Sequence, residues 1–278
     1  MRYSERAALI PCGDAGLVGI LSLPERPSAR GVLIVVGGPQ VRTGSHRQFT
    51  LLARALAAAG TPVLRFDYRG MGDSEGAPHG FDEVEDDLRA AIDAFQHEVK
   101  QLEEVVLWGL CDGATASILY APRDARVRGL VLLNPWARTE ESAARATLKH
   151  YYGERMKSGG AWLRLLRGQL DPRAVLRSVL GLALRALRPR TQGHDGATLP
   201  ARLHAALARF DGRALIVLAG ADLTAREFGD LAATPAWRDL VDAPRFALRR
   251  LDGADHTFSR RAWQDQVAAW TGDWIRSW

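Results

Sequence analysis

The chain has 278 residues, 47% of them hydrophobic and 25% charged, enough apolar material for one large core and too much for wholesale disorder. Its two cysteines, Cys12 and Cys111, cannot staple a fold and suit a reducing compartment. The net charge of +5 is a mild basic excess, concentrated in arginines between Arg138 and Arg209; without an aromatic-interleaved basic tract or a nucleic-acid module, these read as solvated helix faces.

Charge within the first six residues and Pro11 soon after argue against a secretory leader. No run approaches the ~18 apolar residues of a membrane span, and the best candidate, 175–187, is cut by Arg177 and Arg185. A cytoplasmic chain without stable membrane insertion is expected.

Along the chain, residues 7–23 carry two strand signals around Gly13-Asp14-Ala15-Gly16, which predicts an antiparallel hairpin at a sheet edge. Residues 31–36 form an apolar block closed by Gly37-Gly38, a fully buried strand. A helix over 47–59 places Phe49, Leu52, Ala53 and Leu56 on one face and stops at Gly60. A strand over 62–66 runs into the glycine-rich turn 67–76, and an amphipathic helix with acids in its first turns follows over 81–99.

Residues 105–108 read as a strand, followed by Gly109-Leu110-Cys111-Asp112-Gly113 and a small-residue helix to Tyr120. Strands are expected over 127–133, 214–218 and 245–249, and a final helix over 260–278 with Trp263, Val267, Trp270 and Trp274 on its apolar side. This alternation predicts a mostly parallel central sheet flanked by helices, an α/β fold. About 137–210 holds no strand signal and reads as helices over 140–151, 161–167, 174–187 and 201–210, a helical cap inserted between late strands. The core is then 1–136 and 211–278 of a single domain.

Gly109-Leu110-Cys111-Asp112-Gly113 has the form of a nucleophile elbow between strand and helix, with cysteine at its centre. Such a turn strains the central residue, so its neighbours must be small. A helix N-terminus and an imidazole favour a thiolate there, and the Asp112 amide follows it as an oxyanion donor. An acid and a histidine are expected next, in that order. Asp222 follows the 214–218 strand, and His256 follows the last strand. Asp230 and Asp239 lie further along the same connection, and Asp252 and Asp255 stand beside the histidine. The triad expected is Cys111, His256 and Asp222.

A second oxyanion amide is expected from the loop Gly37-Gly38-Pro39-Gln40; Pro39 has no N–H, leaving Gly38 or Gln40. His46 and Trp136 are candidate substrate contacts, and Asp67 and Arg69 are read as braces for the loops near the site. The turn 67–76 lacks G-x-G-x-x-G, no G-K-[ST] occurs, and no H-E-x-x-H or C-x-x-C suggests a metal; neither cofactor nor metal is expected.

The ordered set of the Gly37-Gly38 turn, the 67–74 turn, the Gly109–Gly113 elbow, Asp222 and Gly253-Ala254-Asp255-His256 resembles the α/β-hydrolases. More narrowly, Trp108-Gly109-Leu110-Cys111-Asp112-Gly113-Ala114 and Gly37-Gly38-Pro39-Gln40 resemble the exosortase A system-associated hydrolases of bacteria, which implies a link to exopolysaccharide export and protein sorting. The elbow cysteine is similar to that of dienelactone hydrolases. The expected activity is cleavage of a small-molecule acyl ester or thioester through an acyl-enzyme, with acyl transfer to a sugar or other acceptor as the alternative. A catalytically silent binding module of an export or sorting system is a reading of another class, and attachment of the 161–190 helices to an anionic membrane surface a third. Leu176, Leu180 and Leu184 are candidates both for an acyl pocket and for packing the cap. The oligomeric state is not readable.

Overall fold

A computed structural model describes residues 2–38, 40–137 and 197–278. The chain divides into two compact units, Met1–Trp136 with Leu203–Trp278, and Ala137–Arg202. The first is the α/β core. The expected helices at 140–151, 161–167 and 174–187, with Leu176, Leu180 and Leu184, lie outside the described residues.

The core is one eight-stranded sheet of order β1-β2-β4-β3-β5-β6-β7-β8. β1 (Tyr3–Cys12) and β2 (Ala15–Pro24) form the expected edge hairpin, in antiparallel register from Tyr3 opposite Pro24 to Cys12 opposite Ala15. β2 pairs antiparallel with β4 (Val63–Phe66), and every later pairing is parallel. β3 (Arg30–Val35) lies between β4 and β5 (Glu104–Leu110), so Leu33 sits opposite Leu64 on one side and Leu107 on the other.

β6 (Val127–Leu133), β7 (Arg213–Ala219) and β8 (Phe246–Leu251) complete the sheet. Val32 to Val35, Val105 to Leu107 and Leu215 to Val217 are wholly buried, as a parallel sheet covered on both faces requires.

Helices α1 (Gln48–Ala58), α2 (Glu85–Glu98), α3 (Asp112–Tyr120), α4 (Leu199–Arg209), α5 (Leu223–Ala232), α6 (Pro235–Val241) and α7 (Arg261–Arg276) follow in chain order. Four depart from expectation. α2 starts at Glu85 rather than 81, because Glu85, Asp86 and Asp87 fill the first turn, where the helix dipole favours acids. α5 and α6 stand in the connection after β7, where the sequence reading had no helix. On α7 the buried face is Val267, Thr271, Gly272 and Ile275, with the expected Trp263, Trp270 and Trp274 only half-buried at its sides. The helix packs on α1, with Gly272 beside Leu56.

Chain order reverses across the sheet between β3 and β5: β4 lies to one side, β5 and the later strands to the other. Loops leaving the carboxyl ends of two such strands diverge and open a crevice. The Gly37-Gly38 loop leaves β3 there, and the Cys111 elbow leaves β5.

Candidate active site

Cys111 sits between β5 and α3 with φ 59° and ψ −122°, in the strained conformation expected of an elbow. Surrounding bonds hold it there. Its N–H donates to the Leu133 carbonyl at 2.9 Å, and its carbonyl accepts from Ala114 (3.1 Å), Thr115 (3.2 Å) and Trp136 (3.2 Å). The flanking glycines are steric necessities. A Cβ on Gly109 would lie 2.5 Å from the Gly113 carbonyl carbon, and one on Gly113 would lie 2.5 Å from the Val35 carbonyl oxygen.

The loop after β8 brings His256 to this point. Its Nδ1 lies 2.9 Å from Asp222 Oδ2, and the Cys111 sulfur stands close enough to act on its titration. Asp222 and then Cys111 outweigh the desolvation that opposes them and push the imidazole up to about 10. Of the acids considered for this place, Asp222 faces the ring. Asp255 turns instead to Ser259, accepting its N–H at 2.9 Å as well as its hydroxyl.

The same Asp222 Oδ2 accepts the Ala225 N–H at 2.9 Å, so this carboxylate is also the N-cap of α5. Sequence reasoning missed that second role because it missed α5. An Asp immediately before an amphipathic stretch, here Leu223-Thr224-Ala225-Arg226, was the available signal.

Asn134, just past the end of β6, is a buried cross-brace. Its Oδ1 accepts the Ala219 N–H at 2.9 Å and its Nδ2 donates to the His256 carbonyl at 3.0 Å, binding β7 to the histidine loop. It adopts φ 45°, a region asparagine tolerates better than most residues. Its burial between two strand ends leaves no mark in sequence.

Of the two expected oxyanion amides in the β3 loop, the Gln40 N–H closes a turn onto the Gly37 carbonyl at 3.2 Å. The Gly38 N–H donates to Asp112 Oδ2 at 2.8 Å. Burial pushes the Asp112 carboxyl above its ordinary range, opposed by the amides of Gly38, Asp112 and Gly113 and by His256. Trp136 is joined to the elbow through its backbone, its carbonyl accepting the Thr115 hydroxyl at 2.6 Å. His46 is exposed, with φ 53°.

Asp67 is wholly buried and accepts the Arg42 N–H at 2.6 Å while ion-pairing with the Arg42 guanidinium. Arg69 is held by Asp87 at 2.8 Å. The pair braces the turn 67–76. Gly72-Asp73-Ser74-Glu75-Gly76 spells G-x-S-x-G, yet no helix follows it. The Ser74 hydroxyl is committed, donating to the Asp67 carbonyl and accepting the Val18 N–H, both at 2.8 Å. Among the described residues no cluster of His, Cys, Asp and Glu is placed to hold a metal, and no helix is long and apolar enough to cross a membrane.

Residues 27–179, more than half of the sequence, match the family described as serine aminopeptidase, S33. The chain belongs to this hydrolase family. It is therefore an enzyme of the hydrolase class on the α/β-hydrolase fold, with cysteine at the elbow in a family named for serine. Solved structures repeat the architecture across nearly the whole chain. An esterase of Pyrococcus furiosus superposes with a TM-score of 0.68 at 15% identity, covering 99% of this chain and 91% of its own. A dienelactone hydrolase of Anabaena variabilis gives 0.63 at 15%, covering 99% and 98%. Est1E of Butyrivibrio proteoclasticus, solved with ferulic acid bound, gives 0.62 at 14%, covering 97% and 98%. At these identities the likeness speaks for the fold. No curated protein matches the sequence.

Proposed function

We propose that this hydrolase cleaves a small acyl ester or thioester with Cys111 as nucleophile, His256 as proton carrier and Asp222 as the group that orients and charges the histidine. The observation that carries the reading is the His256 imidazole held by the Asp222 carboxylate, 2.9 Å away, with Cys111 in a strained elbow between β5 and α3. An imidazolium stabilised by Asp222 can take the thiol proton as the sulfur attacks and deliver it to the leaving group.

The Cys111 sulfur attacks the carbonyl carbon, forming a C–S bond and an oxyanion that the amides of Asp112 and Gly38 stabilise. Collapse breaks the bond to the alcohol or thiol, which departs with the His256 proton. His256 then takes a proton from water, and the resulting hydroxide equivalent attacks the thioester. The second collapse frees the acid and returns the proton to the Cys111–His256 pair. No step calls on a metal or organic cofactor.

The test is steady-state hydrolysis of p-nitrophenyl esters and acyl-CoAs of graded chain length by the wild type and by Cys111→Ala. The proposal expects turnover in the wild type and a loss of about 10⁴-fold or more in the variant, the scale seen when a nucleophile is removed from such a triad. Equal rates in the two forms would overturn it.

A further inference from the structure

In this structure the Asp112 side chain holds an amide that the proposed reaction needs. Its Oδ2 takes the Gly38 N–H at 2.8 Å. An N–H that is donating to a carboxylate is not free for a substrate carbonyl, and a fixed negative charge beside a developing oxyanion opposes it. The placement is built rather than incidental. Asp112 Oδ1 packs so closely on Gly37 that any Cβ there would collide with it, and this oxygen is buried without a hydrogen-bond partner.

A second orphan stands in the loop after β4, the strand that flanks β3 on the side away from β5. Tyr68, two residues beyond the end of β4, is buried, and its hydroxyl also lacks a partner. Burial and then the Asp112 charge raise this phenol above its ordinary range. A buried hydroxyl without an acceptor is costly, and a carboxylate is the acceptor it lacks.

We propose that Asp112 and Tyr68 are positioning residues that gate the oxyanion site: the Asp112 carboxylate occupies the Gly38 N–H in the free enzyme and transfers to the Tyr68 hydroxyl when a substrate carbonyl takes that amide. The gate rests on the esterase reading above. It selects substrates whose remaining contacts drive the transfer and slows small, weakly anchored esters.

The experiment compares wild type, Asp112→Ala, Tyr68→Phe and the double variant. It follows acylation of Cys111 by p-nitrophenyl acetate with quenched intact-mass spectrometry, and the affinity for an alkyl trifluoromethyl ketone, whose adduct carries an oxyanion. Freeing one oxyanion amide should speed acylation by Asp112→Ala about tenfold and tighten the ketone similarly. Tyr68→Phe should slow acylation about tenfold when Asp112 is present and leave it unchanged in the Asp112→Ala background, since only the transfer needs the hydroxyl.

Asp112→Asn keeps the acceptor without its charge, so it serves if the alanine variant does not fold and should fall between wild type and Asp112→Ala. Equal acylation rates in wild type and a folded Asp112 variant would overturn the gate and leave the esterase reading standing. So would a Tyr68→Phe effect of the same size in both backgrounds. Absence of any Cys111 adduct in wild type and variants alike would overturn the esterase reading and the gate with it.

Discussion

Replacing Asp222 by asparagine and by alanine separates two roles carried by one oxygen. Asp222 Oδ2 accepts both the Ala225 N–H and the His256 Nδ1, each at 2.9 Å. In Asp222→Asn the amide oxygen takes the same place, because a flipped amide would set its NH₂ against the Ala225 N–H. The cap and the histidine tautomer are then kept, and only the charge is lost. Thermal stability should change by less than about 0.5 kcal/mol from the cap, since asparagine caps as well as aspartate. The exchange of a charged for a neutral hydrogen bond should lower kcat/KM by about 10- to 100-fold, or ~1.4–2.7 kcal/mol of transition-state stabilisation.

Asp222→Ala removes both contacts. The lost cap costs about 1 kcal/mol, near 2 °C in Tm for a chain of this size. The unanchored imidazole should cost ~10³- to 10⁴-fold in kcat/KM. Differential scanning calorimetry and ester kinetics on the two variants read both quantities. Equal losses of activity in the two would show that the Ala225 N–H does not fix the side chain. Full activity in Asp222→Asn would show that the carboxylate charge has no part in the reaction.

Asn134→Ala leaves the buried Ala219 N–H without an acceptor and frees the His256 carbonyl, so it should lower the unfolding free energy by about 2–4 kcal/mol in urea melts. A loss below about 0.5 kcal/mol would refute the cross-brace. Cys111→Gly removes the nucleophile and relieves the strain at φ 59°, and should raise stability by about 1 kcal/mol while abolishing turnover; a fall in Tm would contradict the strain. The pH dependence follows from a His256 pushed up to about 10 in the folded state. Its contribution is fully present below the unfolded value of about 6.5 and is lost as pH rises through the folded value. The stability gap between wild type and Asp222→Asn should therefore be widest at pH 6 and close towards pH 10, and a gap constant over that range would count against it.

Much of this was legible in the chain because buried parallel strands are apolar without interruption, as in Gly31 to Val36 and Gly129 to Leu133. The elbow was legible because sterics leave so little choice around Cys111 that both flanking glycines are required. Helix faces were harder. Three tryptophans on the last helix suggested the buried stripe, but the helix turns Val267, Thr271, Gly272 and Ile275 inward and leaves the indoles half-buried at its sides. α5 was missed because Gly229 and its short apolar stripe weaken the helical signal. Asn134 and the Asp112 carboxylate lay beyond reach for another reason: their roles depend on which strand ends and loops meet, and an asparagine before a proline or an acid at a helix start reads the same on the surface.

The central claim is tested most directly by mixing the protein for seconds with p-nitrophenyl acetate, quenching in acid, and mapping the acyl group by peptide mass spectrometry. The account predicts one acetyl group, on Cys111, in the wild type, accumulating to a higher level in His256→Ala only if deacylation rather than attack is what that variant slows. An acetyl group on another side chain such as Ser74, or turnover without any covalent intermediate on Cys111, would contradict it.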